Sequence, residues 1–113
     1  MIIALYKMKV RRGKTEAFEK AWAEVTEAIA ARQASLGSRL HSTADDHVYV
    51  AYAQWPDMET FESADPSRYD ASQNLSRHRL KETLASVEIM ELMEVCRDHL
   101  RSPVPDQDPL DRG

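Results

Sequence analysis

The sequence predicts one small α+β domain of the ferredoxin-like type, in which a split β-α-β order places the helices on one face of a four-stranded antiparallel sheet. Two observations predict it. The spacing of apolar residues changes along the chain in the order strand, helix, strand, strand, helix, strand, which is the order of that fold. The length of 113 residues allows a single domain with a modest core.

The first strand and the first long helix have the clearest patterns. Residues 2–10 alternate in the two-residue period of a strand, and a Gly-containing turn follows. From Thr15 to about residue 34, apolar residues recur at steps of three and four, which is typical of an amphipathic helix. We expect Thr15 to be its N-cap and Gly37 to take the left-handed conformation after its end.

The middle of the chain predicts a hairpin and a short helix. Residues 38–43 and 47–55 are two strands around a polar connection. Pro56 ends the second strand, and Asp57 is placed to cap the short helix that follows.

The C-terminal part predicts a second long helix over about 70–85 and a last strand over about 87–96. The helix pattern leaves open which face is inward. On the strand, we expect Ile89 and Met93 on one face and Met90 and Leu92 on the other. The domain is predicted to cover residues 1–100. The tail, 101–113, carries three prolines and three aspartates, so we expect it to be disordered or packed on a partner.

The strands also predict a homodimer. Three of the four carry apolar residues on both faces, whereas the helices cover only one face of the sheet. An uncovered apolar sheet would be an unusually large exposed patch. A twofold dimer that stacks the two sheet faces removes it.

Composition excludes several partners. The net charge of −4 argues against nucleic acid, which needs a clustered basic surface. The N-terminal apolar run is interrupted by lysine after six residues, so it predicts neither a membrane span nor a signal peptide. The single cysteine, Cys96, excludes an intrachain disulfide, and we expect a cytoplasmic protein.

No cofactor motif is found in the sequence. The four histidines have no metal-ligand spacing, and no Gly-rich phosphate loop occurs among the three glycines. We therefore expect no metal and no other cofactor.

Three segments together resemble the antibiotic biosynthesis monooxygenase (ABM) family over about residues 1–96. They are the hairpin strand 38–42, the run 50–56 (VAYAQWP), and Val10-x-x-Gly13-Lys14 followed by Phe18 and Trp22. The resemblance implies a dimeric α/β barrel. Members of the family include cofactor-free oxygenases of polycyclic aromatic or quinol substrates, haem-degrading enzymes, and proteins without an assigned activity.

The haem-degrading branch uses an Asn on the first strand, a Trp on the short helix and a His on the last helix. The matching positions here are Tyr6, Ala64 and His78. Two of the three residues depart from that pattern, which argues against haem degradation.

Cofactor-free oxygenation requires an aromatic-lined cavity with one or two polar groups, because the substrate itself supplies the reducing power. On this basis we predict His78 and Tyr6 as catalytic residues, and Trp55, Tyr69 and His41 as substrate-binding residues.

Each candidate also has a structural interpretation. Tyr6 can be a cavity-wall or core tyrosine, and Trp55 can anchor the short helix by packing. His41 lies among polar residues, where a surface position is common. His78 faces water if the leucines at 80 and 84 mark the core.

The leading functional hypothesis is a monooxygenase without metal or flavin, acting on a small aromatic or quinol-type substrate. The alternative is a non-catalytic dimeric α/β-barrel protein for ligand binding or stress response. A third hypothesis, haem binding or haem degradation, ranks below both.

Overall fold

The computed structural model describes residues 1–64 and 71–101. Its elements follow the predicted order, with one short helix after the third strand. They are β1 (Ile2–Val10), α1 (Thr15–Gln33), β2 (Ser38–Ser42), β3 (Val48–Trp55), α2 (Met58–Glu62), α3 (Ala71–Thr83) and β4 (Leu84–Glu94). No helix in the described part of the chain is long and apolar enough to cross a membrane.

The four strands form one antiparallel sheet in the order β2-β3-β1-β4. The predicted α+β ferredoxin-like fold is therefore confirmed. Tyr6 in the middle of β1 pairs with Ala51 of β3 on one side and with Ile89 of β4 on the other. Since directly paired residues share a face of the sheet, Tyr6, Ala51 and Ile89 point to the same side. We call it the inner face, because it carries the core and the helices; the opposite side is the outer face.

A β-bulge in β4 overturns one predicted pattern. Leu5 pairs with Glu91 and the next residue, Tyr6, pairs with Ile89, so Met90 is an extra residue in the ladder. The bulge shifts the two-residue period by one position. Ile89 therefore lies on the inner face and Met93 on the outer face, and their predicted place on one face was wrong.

Both ends of α1 differ from the sequence-based prediction. The N-cap is Lys14, without a side-chain capping bond, and Thr15 is the first helical residue. At the other end Ala34 takes the left-handed conformation, with φ 59°. Gly37 also has a positive φ, 100°, but it lies in the connection to β2 rather than at the helix end.

The short helix α2 is capped as predicted. The Asp57 carboxylate accepts a hydrogen bond of 2.7 Å from the backbone N–H of Thr60. That bond favours the ionised form and lowers the pKa of Asp57.

The core lies between the inner face and α1. Phe18 is fully buried, and its ring centroid lies 4.8 Å from that of Tyr49 at an interplanar angle of 43°. The Tyr49 hydroxyl donates a hydrogen bond of 2.9 Å to the Glu19 carboxylate. Leu80 and Leu84 pack against this core, which shows the inward face of α3 that the sequence left open.

The edge strand β4 exposes apolar side chains on both faces. Ile89 on the inner face is 54% exposed and Met93 on the outer face is 37% exposed. Other large apolar residues of the strand are similarly exposed: Val87, Met90 and Leu92.

The predicted tail, 101–113, lies outside the described residues except for Arg101.

Candidate functional site

A cavity of about 390 Å³ lies between the inner face of the sheet and the helices α1 and α3. Its floor is formed by inner-face residues of β1 and β3, and its walls by the two helices. The lining residues are Tyr6, Met8, Trp22, Val25, Thr26, Ile29, Ser35, Ser38, Ala51, Ala53, Trp55, Arg77, Leu80, Lys81, Leu84 and Val87.

The cavity exists because small side chains occupy its floor. Ala51 and Ala53 are consecutive inner-face residues of β3. Opposite them, Trp22 and Ile29 project from α1 at helical spacing. The two methyl groups leave the space that a larger side chain would fill.

Tyr6 is the polar group of the floor. Its side chain is half-buried, and burial raises the pKa of its hydroxyl above the usual value near 10. The phenol is therefore neutral near pH 7 and can donate a hydrogen bond. No partner for this hydroxyl occurs among the side chains and backbone groups that the structure describes. Tyr6, which the sequence predicts as a catalytic residue, thus lines the cavity.

Trp55 contributes its ring to the cavity wall. The residue is 5% exposed, and the ring packs edge-on against Phe61 with centroids 5.5 Å apart at 79°. Within the described part of the chain the buried Nε1–H has no hydrogen-bond partner. Since solvent does not reach this nitrogen, the ring rather than the N–H faces the cavity. Trp55 thus both lines the cavity and anchors α2.

Two serine hydroxyls in the cavity wall are already hydrogen-bonded. Ser38 donates to the carbonyl oxygen of Tyr52 over 2.9 Å. Ser35 donates to the carbonyl oxygen of Gln54 over 3.4 Å and accepts from the Gly37 N–H over 3.0 Å. These bonds hold the connection between α1 and β2 in place.

The α3 wall is cationic. Among the described residues, Arg77 and Lys81 are the charged ones that line the cavity, one helical turn apart. Together with Leu80 they lie on one face of the helix, and Leu84, the first residue of β4, lines the cavity beside them. Sequence reasoning missed both cations. Arg77 and Lys81 stand three or four residues from Leu80 or Leu84, which is the spacing of residues on one helix face. This spacing identifies them as cavity residues only once the inward face of α3 is known.

His78 lies outside the cavity. Its side chain is 69% exposed, and Nε2 lies 3.0 Å from the Glu82 carboxylate on the following turn. This is the solvent-facing position that the sequence predicts when Leu80 and Leu84 mark the core.

His41 does not line the cavity. His41 pairs with Val50 and so shares the outer face of the sheet with it. Its Nδ1 lies 3.1 Å from the Val50 carbonyl oxygen. Tyr69 lies outside the described residues.

Of the four predicted site residues that the structure describes, Tyr6 and Trp55 line the same cavity. Among the described residues, no group of three or more His, Cys, Asp or Glu side chains is arranged to hold a metal ion.

The fold and the site together define a class: a split β-α-β domain with a ligand-sized cavity between its sheet and its helices. The family model "Antibiotic biosynthesis monooxygenase" matches residues 1–69. The chain belongs to this family, and the resemblance noted in the sequence is confirmed.

Solved structures of low sequence identity have the same fold. SnoaB, a cofactor-independent oxygenase from Streptomyces nogalater, aligns with a TM-score of 0.68 and 20% identity over 88% of this chain and 97% of its own. A candidate antibiotic biosynthesis monooxygenase from Bordetella bronchiseptica aligns with a TM-score of 0.69 and 16% identity, over 85% and 97% of the two chains. No curated protein matches the sequence.

Proposed function

We propose that the protein is a cofactor-independent monooxygenase that acts on a small aromatic or quinol-type substrate held in the cavity. One observation carries the proposal: an apolar, aromatic-walled cavity with a neutral phenol, Tyr6, at its floor. Family membership and the shared fold with the cofactor-independent oxygenase SnoaB support it.

The substrate supplies the electrons in this chemistry. For a ring methylene flanked by two aromatic rings, as in an anthrone, reaction with O₂ replaces both C–H bonds by a carbonyl and releases water. One oxygen atom enters the product and the other leaves in the water. The protein has to bind the electron-rich ring, promote loss of its proton and exclude bulk water.

Tyr6 acts as a donor rather than as a base. Burial raises the pKa of its hydroxyl, so the phenol keeps its proton near neutral pH. A neutral O–H can donate to the substrate oxygen on which negative charge develops. Arg77 and Lys81 on the α3 wall make the cavity more positive, which favours an anionic form of the bound substrate, because nearby cations lower the pKa of an acid.

His78 has no part in this proposal. Its ring is exposed and paired with Glu82, outside the cavity lining. We therefore expect the substrate proton to pass to water rather than to this imidazole.

Oxygen uptake with a panel of anthrones and hydroquinones tests the proposal. We expect one O₂ consumed per substrate molecule. Tyr6→Phe should lower kcat by about 10²-fold, the effect of removing one donor to a developing oxyanion. His78→Gln serves as the control and should retain activity. Absence of stimulated uptake across the panel would count against an oxygenase.

The structure also has a feature that favours the non-catalytic alternative. Among the described residues that line the cavity there is no histidine and no carboxylate to act as a general base. Tight binding of an aromatic metabolite without oxygen uptake or product would favour a ligand-binding or stress-response protein. Haem binding, the third hypothesis, predicts a Soret band on addition of haemin, and a flat titration would remove it.

We propose further that two chains form a homodimer through their outer sheet faces. The outer face carries apolar side chains on neighbouring strands, among them Leu5, Val50 and the 37% exposed Met93, and an apolar patch across a sheet face is unusual on a monomer. Met93→Glu would place a charge on the outer face, and we expect light scattering to show a monomer. Arg79→Glu on α3 is the control. A dimeric Met93→Glu variant would contradict this interface.

The cytoplasmic location expected from the sequence stays a prediction. Cell fractionation with an antibody against the chain would test it.

A further inference from the structure

Among the described residues that line the cavity, both charged side chains are cations, although the net charge of the protein is −4. We propose that the cavity selects aromatic ligands that carry a carboxylate, and that Arg77 and Lys81 hold this group. The description of the ligand as aromatic rests on the proposed function. The recognition of its charge rests on the cavity itself.

The polar groups of the cavity lie on two different walls. Tyr6 belongs to β1, on the floor of the cavity, whereas Arg77 and Lys81 belong to α3. A ring between the sheet and the helix therefore has two polar contacts on different sides. The ligand oxygen that accepts from Tyr6 is distinct from the anionic group at α3.

The two cations suit a carboxylate. The planar guanidinium of Arg77 can donate two parallel hydrogen bonds to its two oxygens. The group has five N–H donors, so a contact with a neighbouring side chain leaves donors for a ligand. Lys81 adds a point charge at an exposed position one turn further along the helix.

Among the described lining residues, Arg77 and Lys81 are the charged ones, and the other polar side chains are the neutral hydroxyls of Tyr6, Thr26, Ser35 and Ser38. The hydroxyls of Ser35 and Ser38 are already bonded to carbonyl oxygens of β3. Most of the remaining wall is aliphatic or aromatic, where an unpaired carboxylate would be costly to bury. The anionic group is therefore directed to α3, and the ring to the apolar part.

The volume limits the ring system. About 390 Å³ is near the lower end of the range of about 300–1,000 Å³ that small-molecule pockets span. Ligands of two to three fused rings with one carboxylate are thus suitable probes.

Binding of a matched ligand pair tests the inference. The probes are 3-hydroxy-2-naphthoate and its methyl ester, which differ in charge but share the ring and the hydroxyl. We expect isothermal titration calorimetry on the full chain to give about tenfold tighter binding of the acid, the effect of one charge-assisted hydrogen bond at a partly exposed site. The preference should shrink as salt is added.

Three variants locate the charge effect. Lys81→Gln and Arg77→Gln should each weaken binding of the acid severalfold and leave binding of the ester unchanged. Arg79→Gln is the matched control, because it removes a cation from the same helix at a position that does not line this cavity. Thermal melting checks that each variant is folded.

Several outcomes overturn the inference: equal affinity for acid and ester, no binding of either, or an equal loss in Arg79→Gln and Lys81→Gln. Oxygen uptake with 1,4-dihydroxy-2-naphthoate and its methyl ester separates this result from the proposed function. Tighter binding of the acid without oxygen uptake supports carboxylate recognition and counts against the proposed monooxygenase function. Uptake with both, without preference in binding, supports the oxygenase and removes the recognition.

Discussion

The space between the sheet and the helices is filled at one end and open at the other. At the filled end, Phe18 of α1 is fully buried and packs against Tyr49 of β3. At the open end, Ala53 takes an inner-face position of β3, and Ile29 of α1 lines the same cavity. The two ends share the same strands and the same helix, and they differ in the volume of the side chains on β3.

Because of this difference, we expect the filled end to contribute mainly to folding stability and the open end to ligand binding. A close-packed end contributes dispersion and burial, because each lost atom leaves an unfilled space. The open end lacks part of that packing, because a cavity with the Tyr6 phenol at its floor occupies the space. We therefore expect substitutions at the filled end to change the free energy of unfolding, and substitutions at the open end to change ligand binding.

The largest expected effect is at the filled end. Phe18→Ala should lower the free energy of unfolding by about 3–5 kcal/mol, because a buried aromatic ring is replaced by a void. Ile29→Ala, in the cavity wall, should cost less, since its side chain is only half-buried. Urea denaturation of both variants measures the difference. Equal losses of unfolding free energy in the two variants would contradict the distinction between a filled and an open end.

The next largest effect is on ligand binding, at the open end. Ala53→Leu adds three carbon atoms to the cavity floor, so we expect binding of 3-hydroxy-2-naphthoate to fall by about tenfold or more, as for a filled pocket. The stability should change by less than the 1–3 kcal/mol that is typical of overpacking a close-packed core, because the added atoms enter existing space. Calorimetric titration and urea denaturation check the two parts. Ala17→Leu on the exposed face of α1 is the control. Unchanged affinity in Ala53→Leu would place the ligand elsewhere.

The secondary structure of the filled end could largely be predicted from the local sequence pattern. The period of β1 and the stripe of α1 are set by neighbours in the chain, and both elements begin and end close to the predicted residues. Tyr6 and Trp55 were found because aromatic residues on an inner face are candidates for any cavity wall.

What the sequence did not predict depends on contacts between distant segments. The extra residue Met90 is visible only in the pairing of β4 with β1, because the bulge changes which residues lie opposite each other. The choice of Arg77 and Lys81 over His78 depends on how α3 is rotated about its axis, which packing of Leu80 and Leu84 determines. A period alone does not give that rotation.

The smallest expected effect compares two tyrosines, one at each end. At pH 7, Tyr49→Phe should cost about 1 kcal/mol, because it removes the hydrogen bond to Glu19. Tyr6→Phe should cost close to nothing, since no partner of its hydroxyl occurs among the described residues. Urea denaturation at pH 7 measures both.

The same two tyrosines should behave alike in alkali. Burial raises the pKa of each, and at Tyr49 the hydrogen bond to Glu19 raises it further. In the unfolded chain a tyrosine ionises near pH 10. The folded protein then retains protons that the unfolded chain loses, so stability present below about pH 10 is lost as the pH rises above it. Each Phe variant should show a shallower loss than the unsubstituted protein between pH 9 and pH 11. A steeper loss in Tyr6→Phe would mean that the floor of the cavity is not the buried environment that the open end requires.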